Sequence, residues 1–172
     1  MASETRTIAN GPRNGETIPV ETPTTIHAVM KFEIGAIVTL LSSWDVHSNS
    51  HPIMELYGTE GTMDLPDPNF FGGDVKVTSR GGEAANKSWN HPFGVPNFED
   101  TQANYRGAGL ADMALAITES RPHRCNEAFA THVVEVMTAI LEAGETGKVI
   151  AMTTTCGRPD VLGPDAALSL LA

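Results

Sequence analysis

The stretch Tyr105–Gly147, YRGAGLADMALAITESRPHRCNEAFATHVVEVMTAILEAGETG, decides how the rest of the chain is read. From Asn126 onward Glu127, Thr131, Glu135, Thr138, Glu142 and Glu145 recur every three or four residues. Phe129, Val133, Val136, Met137, Ile140 and Leu141 fill the other side, the pattern of an amphipathic helix with one buried face. Asn126 suits the N-cap, Glu127 complements the helix dipole, and Gly144 or Gly147 supplies a left-handed stop. Upstream, Leu110, Met113, Ala114 and Ile117 mark a second helix, which Pro122, lacking an amide hydrogen, cannot continue.

What precedes these helices reads as strands in need of a cover. Ile26, Ala28, Met30 and Phe32 alternate with Thr25, His27, Val29 and Lys31, and Ala36–Trp44 is apolar on both parities, as a central strand would be. The three-residue link between them predicts a hairpin. Ile53–Tyr57 and Thr62–Leu65 around Gly58-Thr59-Glu60-Gly61 predict a second hairpin, which Pro66-Asp67-Pro68 ends. Asp74–Thr78 is one more strand, 79–104 a long connection of the kind that covers a site or an interface, and Lys148–Thr155 a final strand. The expected class is α+β: a mostly antiparallel open sheet with two late helices packed on one face. Its divisions are a loose lead-in over 1–23, a domain over 24–162, and a tail over 163–172 with one or two helical turns.

Composition narrows the partners. The chain has 172 residues, 41% of them hydrophobic, enough for one domain with a real core. Its 21 acidic against 11 basic residues give a formal charge of −10, which repels nucleic acid and anionic membranes alike. The two cysteines, Cys125 and Cys156, form no CxxC and read as reduced thiols of a cytoplasmic protein. No apolar run has the length of a membrane span, and MASETRTIANG has no signal-peptide core.

Residues 106–117 (RGAGLADMALAI), 121–124 (RPHR) and 132–148 (HVVEVMTAILEAGETGK) resemble the C-terminal helical segment of the Gfo/Idh/MocA oxidoreductases. Residues 55–62 (ELYGTEGT), 66–69 (PDPN) and 71–73 (FGG) are similar to that family's central hairpin and the loop behind it, so the likeness runs in register from Arg6 to Leu162. The resemblance implies a two-domain enzyme. Members bind NAD or NADP in an N-terminal Rossmann domain and move hydride to or from a sugar, polyol or related carbonyl compound lying on the C-terminal domain. The expectation for this chain is the second domain without the first: a substrate-binding and oligomerisation domain, inactive alone, with no cofactor of its own. Gly107-Ala108-Gly109 fails as a nucleotide fingerprint, because Asp112 stands at the third glycine position and no strand precedes it. The family's Glu-Lys-Pro lysine and Asp-x-x-x-His segment fall upstream of the region matched. The implied partners are a second copy through the open sheet face, a full-length relative or a separate Rossmann domain, and a small sugar-like ligand.

Four residues are candidates for touching that ligand: His47, His51, Tyr105 and Arg106. His47 and His51 flank a loop with Asp45 beside them; divalent-metal binding and a plain solvated loop are the two readings, and the loop's Ser48-Asn49-Ser50 and Pro52 favour the second. Tyr105 and Arg106 stand between the long connection and a helix, where they either hydrogen-bond a polyhydroxylated ligand or brace the loop. His132 reads as a surface partner of Glu135. No serine, cysteine or lysine has a base placed to activate it, and no catalytic or metal residue is assigned. A non-catalytic assembly or ligand-binding module derived from the same family is the alternative function.

Overall fold

A computed structural model describes residues 4–99 and 101–171; the start of the lead-in, Asp100 and the last residue of the tail lie outside the described residues. The class is α+β; the described residues form eight strands in antiparallel sheets of two, two and four, followed by the helices. The chain divides into two compact units, one up to Ser50 and one from His51.

In the first unit β1 (Thr5–Thr7) pairs with β2 (Thr17–Pro19). The stretch expected to be a loose lead-in therefore holds a hairpin. Its three-residue strands are too short to show a period, while its turn residues, Gly11 and Gly15 at φ +78° and +86°, were legible. β3 (Thr25–Lys31) and β4 (Ile37–Ser43) form the expected hairpin, in register from Thr25↔Ser43 to Lys31↔Ile37. Ile26, Ala28 and Met30 are half-buried and their alternates exposed, as period two requires. β4 is not a central strand: its sheet has two strands, and Ile37 and Leu41 stay 70% and 51% exposed.

In the second unit β5 (Met54–Gly58), β6 (Gly61–Leu65), β7 (Val75–Ser79) and β8 (Ala84–Lys87) are ordered 5-6-7-8. β8 lies inside the expected long connection; Ala-Ala-Asn-Lys has little β-propensity, and pairing with β7 decides it. Directly opposed residues share a face, so Leu56, Met63, Val77 and Ala85 line one side of this sheet. Glu55, Asp64, Lys76 and Asn86 line the other, with Lys76 and Asp64 paired at 3.3 Å. Gly61 permits the close approach of β6 and β7, since a Cβ there would lie 2.3 Å from the Thr78 carbonyl oxygen.

A short 3-10 turn (Pro92–Gly94) precedes α1 (Ala108–Glu119), α2 (Glu127–Thr146) and α3 (Pro164–Leu171), the last being the helical tail expected. α1 ends on Ser120 in the left-handed region (φ 54°), just before Pro122. α2 is capped by the Asn126 side chain, which accepts from the Phe129 amide at 2.9 Å, and stops at Gly147 (φ 68°). The faces of the helices are rotated from expectation. On α1 the buried side carries Asp112 and Ala116, while Leu110 and Ile117 are 68% and 72% exposed. On α2 Val136, Ala139 and Ile140 turn inward, and Val133, Met137 and Leu141 are exposed. α3 packs on α1 and on the 3-10 turn.

Lys148–Thr155 is not a strand. The amides of Thr153 and Thr154 donate to the Glu135 carboxylate, at 2.7 and 2.9 Å, in place of a ladder.

Candidate functional site

Phe93, buried by the 3-10 turn, anchors an aromatic cluster. Tyr105 stacks on it (centroids 4.8 Å, 15°), and Phe71 meets it edge-on at 5.3 Å. His91 accepts the Phe93 amide on Nδ1 at 3.2 Å, so its Nε2 carries the proton donated to the Leu162 carbonyl at 2.9 Å. That places the tail beside the turn. An open cleft of about 510 Å³ lies there, lined by Asn90, His91, Val95, Tyr105, Leu168 and Leu171 among others.

The four sequence candidates fall in different parts of the chain, His47 in the first unit and the other three in the second. Tyr105 is half-buried, and its hydroxyl donates to the Val95 carbonyl at 2.9 Å, so the phenol braces the connection and turns part of its ring to the cleft. Arg106 donates from Nη2 to Asn69 Oδ1 at 3.0 Å and lies 5.8 Å from the Phe70 ring centre, tying α1's entry to the loop after β6. His47 is exposed in the loop after β4, in the first unit; His51 is exposed and opens the second. Asp45, beside them in sequence, is committed elsewhere: it accepts from Thr24 and Thr25 hydroxyls at 2.6 and 2.8 Å and from Arg6 at 2.6 Å. The Thr24 hydroxyl, then Thr25 and Arg6, hold its carboxyl below the ordinary value.

Two charged constellations escaped sequence reasoning. Asp112, 4% exposed, accepts from Arg121 Nη2 at 3.0 Å, from the Arg124 guanidinium, and from the Arg124 amide at 2.8 Å. Burial pushes its carboxyl up, but the Arg124 amide and the two guanidinium groups outweigh this and hold it below its usual range. Arg124 also reaches the Asp160 carbonyl at 3.1 Å, so through it the carboxylate joins α1, the link to α2 and the segment before α3. The available signal was an acid on a small-residue helix face with two arginines just past the turn.

The second is Glu135. It accepts both amides and both hydroxyls of Thr153 and Thr154, and the Thr153 hydroxyl followed by that of Thr154 and the two amides holds its carboxyl down to about 2. His132 meets Thr154 Oγ1 at 2.9 Å, so the expected His132–Glu135 pair is bridged by a threonine hydroxyl rather than direct. A small open cleft of about 320 Å³ lies beside it, between Glu127, Thr131 and Thr155. These carboxylates organise backbone; neither stands next to an activated nucleophile. Among the described residues no group of three His, Cys, Asp or Glu side chains is arranged to hold a metal, and no helix is long and apolar enough to cross a membrane.

Comparison with curated proteins and with solved structures finds no match. A family model does match: the GFO/IDH/MocA C-terminal domain, over residues 2–64. The match spans the three hairpins β1–β2, β3–β4 and β5–β6, short of Leu65, and stops before the helices on which the resemblance was also read. Over residues 2–64, a little over a third of its length, the chain is similar to the GFO/IDH/MocA C-terminal domain.

Proposed function

We propose that this chain is the substrate-side and assembly domain of a GFO/IDH/MocA-type oxidoreductase and does not transfer hydride alone. In the complete enzyme hydride moves between NAD or NADP and a sugar, polyol or related carbonyl compound, with the nucleotide held on a Rossmann domain outside the described fold. The observation that carries the assembly role is the two-sided β5–β8 sheet. Its polar face carries the Lys76–Asp64 ion pair, while on its apolar face Met54, Leu56 and Met63 remain 38%, 47% and 39% exposed. Contiguous apolar area of this kind on a sheet face marks a docking surface. We assign it to a second copy of the chain, in the cytoplasm, where two unpaired thiols are at home.

The open cleft beside Tyr105 favours the second reading, a ligand-binding module of the same descent that works without the cofactor. Light scattering across a concentration series, with NADH fluorescence followed in the same samples, separates them. The expected result is a defined oligomer that Leu56→Glu converts to monomer, with no NADH response. A monomer throughout overturns the assembly role, and saturable NADH binding overturns the division of labour between domains.

A further inference from the structure

The loop between β1 and β2 holds two Asn-Gly pairs, Asn10-Gly11 and Asn14-Gly15, all four residues exposed. As sequence the pairs are equivalent sites for intramolecular deamidation, because glycine has no Cβ to obstruct attack of its nitrogen on the preceding side-chain carbonyl. The structure separates them. The Gly15 amide donates to the Ile8 carbonyl at 2.8 Å and, with Ile8 N–H to Glu16 O at 2.9 Å, closes the hairpin. Turning that nitrogen into an imide removes its hydrogen and breaks the closing bond. Asn14 is held as well, its amide donating to the Gly11 carbonyl at 3.1 Å. The Gly11 amide donates to no group among the described residues, and a Cβ placed on Gly11 would meet nothing within 4 Å.

We propose that Asn10 is a self-modifying site, which in the folded chain converts to aspartate and isoaspartate several-fold faster than Asn14. The Gly11 nitrogen forms a bond to Asn10 Cγ, the Cγ–Nδ2 bond breaks, and Nδ2 leaves as ammonia with the proton from the Gly11 amide. Water, the one co-reactant, then opens the ring. Cleavage at Cγ yields aspartate, and cleavage at the main-chain carbonyl yields isoaspartate, in which the chain runs through Cβ. No electrons change hands. The product adds a negative charge to a chain already at −10 and lengthens an open turn without touching the ladder of Thr5↔Pro19 to Thr7↔Thr17.

Trypsin cuts after Arg6, Arg13 and Lys31, so the two asparagines fall on separate peptides, 7–13 and 14–31. The folded chain is aged in mildly alkaline buffer, digested briefly, and both peptides are followed by mass spectrometry. The acid form is expected to accumulate several-fold faster in 7–13 than in 14–31, and the difference to vanish in urea, where the hairpin bond is gone. Gly11→Ala is expected to slow 7–13 several-fold and leave 14–31 unchanged. Equal rates in the folded chain, faster conversion at Asn14, or an unaffected rate in Gly11→Ala overturns the proposal.

Discussion

Asp112 and Glu135 show how much one carboxylate organises when its environment is fixed. Removing Asp112 leaves two guanidinium groups and the Arg124 amide without their acceptor, and a broken buried ion pair costs far more than a surface one. Asp112→Ala is expected to lower unfolding stability by about 3 kcal/mol, read from the urea midpoint. Glu135 answers to pH. Its carboxyl is held at about 2 against an ordinary 4.5, so the docking of Thr153 and Thr154 that it provides is complete above 4.5 and is lost as pH falls from there through about 2. Hydrogen exchange at those two amides is expected to lose protection across that window. In Glu135→Gln the protection is lower at neutral pH and the acid transition disappears; an unchanged transition would exclude Glu135 as its origin.

At the scale of elements, ends are settled locally and faces are not. Asn126 and Gly147 bound α2 by capping chemistry that involves only neighbours in the chain. Asn126→Ala is expected to cost about 1 kcal/mol, seen as earlier loss of helical circular dichroism on heating. Gly61 belongs to a pair of strands rather than to a turn. The Cβ of Gly61→Ala would meet the Thr78 carbonyl, so that variant is expected to cost about 1–3 kcal/mol and to expose the β6–β7 amides to exchange, whereas Gly109→Ala, with open space around it, is not. The α1 and α2 periodicities place both helices. The inward faces are those that carry buried Ala116 and Ala139, and on α1 Asp112 with its arginines.

Across the whole molecule, strong negative charge and uncovered apolar faces oppose each other in any self-association. Charge repulsion between copies at −10 is screened by salt over a Debye length of about 8 Å at physiological ionic strength, while apolar contact is not weakened. Association of the purified chain is therefore expected to strengthen as sodium chloride rises, measured by sedimentation equilibrium. Weakening with salt would mean that ion pairs, rather than the β5–β8 face, join the copies.

The sequence by itself determined the α+β class, the β3–β4 and β5–β6 hairpins, the two long helices and the caps of α2, because each rests on period, turn residues or capping within a few positions of chain. It also carried the family likeness, of which the family model matches the part over residues 2–64. Only the tertiary structure decided that strands fall into separate sheets, that β1–β2 and β8 exist, and that Lys148–Thr155 gives its Thr153 and Thr154 amides to Glu135. It likewise set Tyr105 and Arg106 to bracing their loop. The reason is common to all of these: a strand or a carboxylate is completed by a partner distant in the chain, and local pattern does not say which partner arrives.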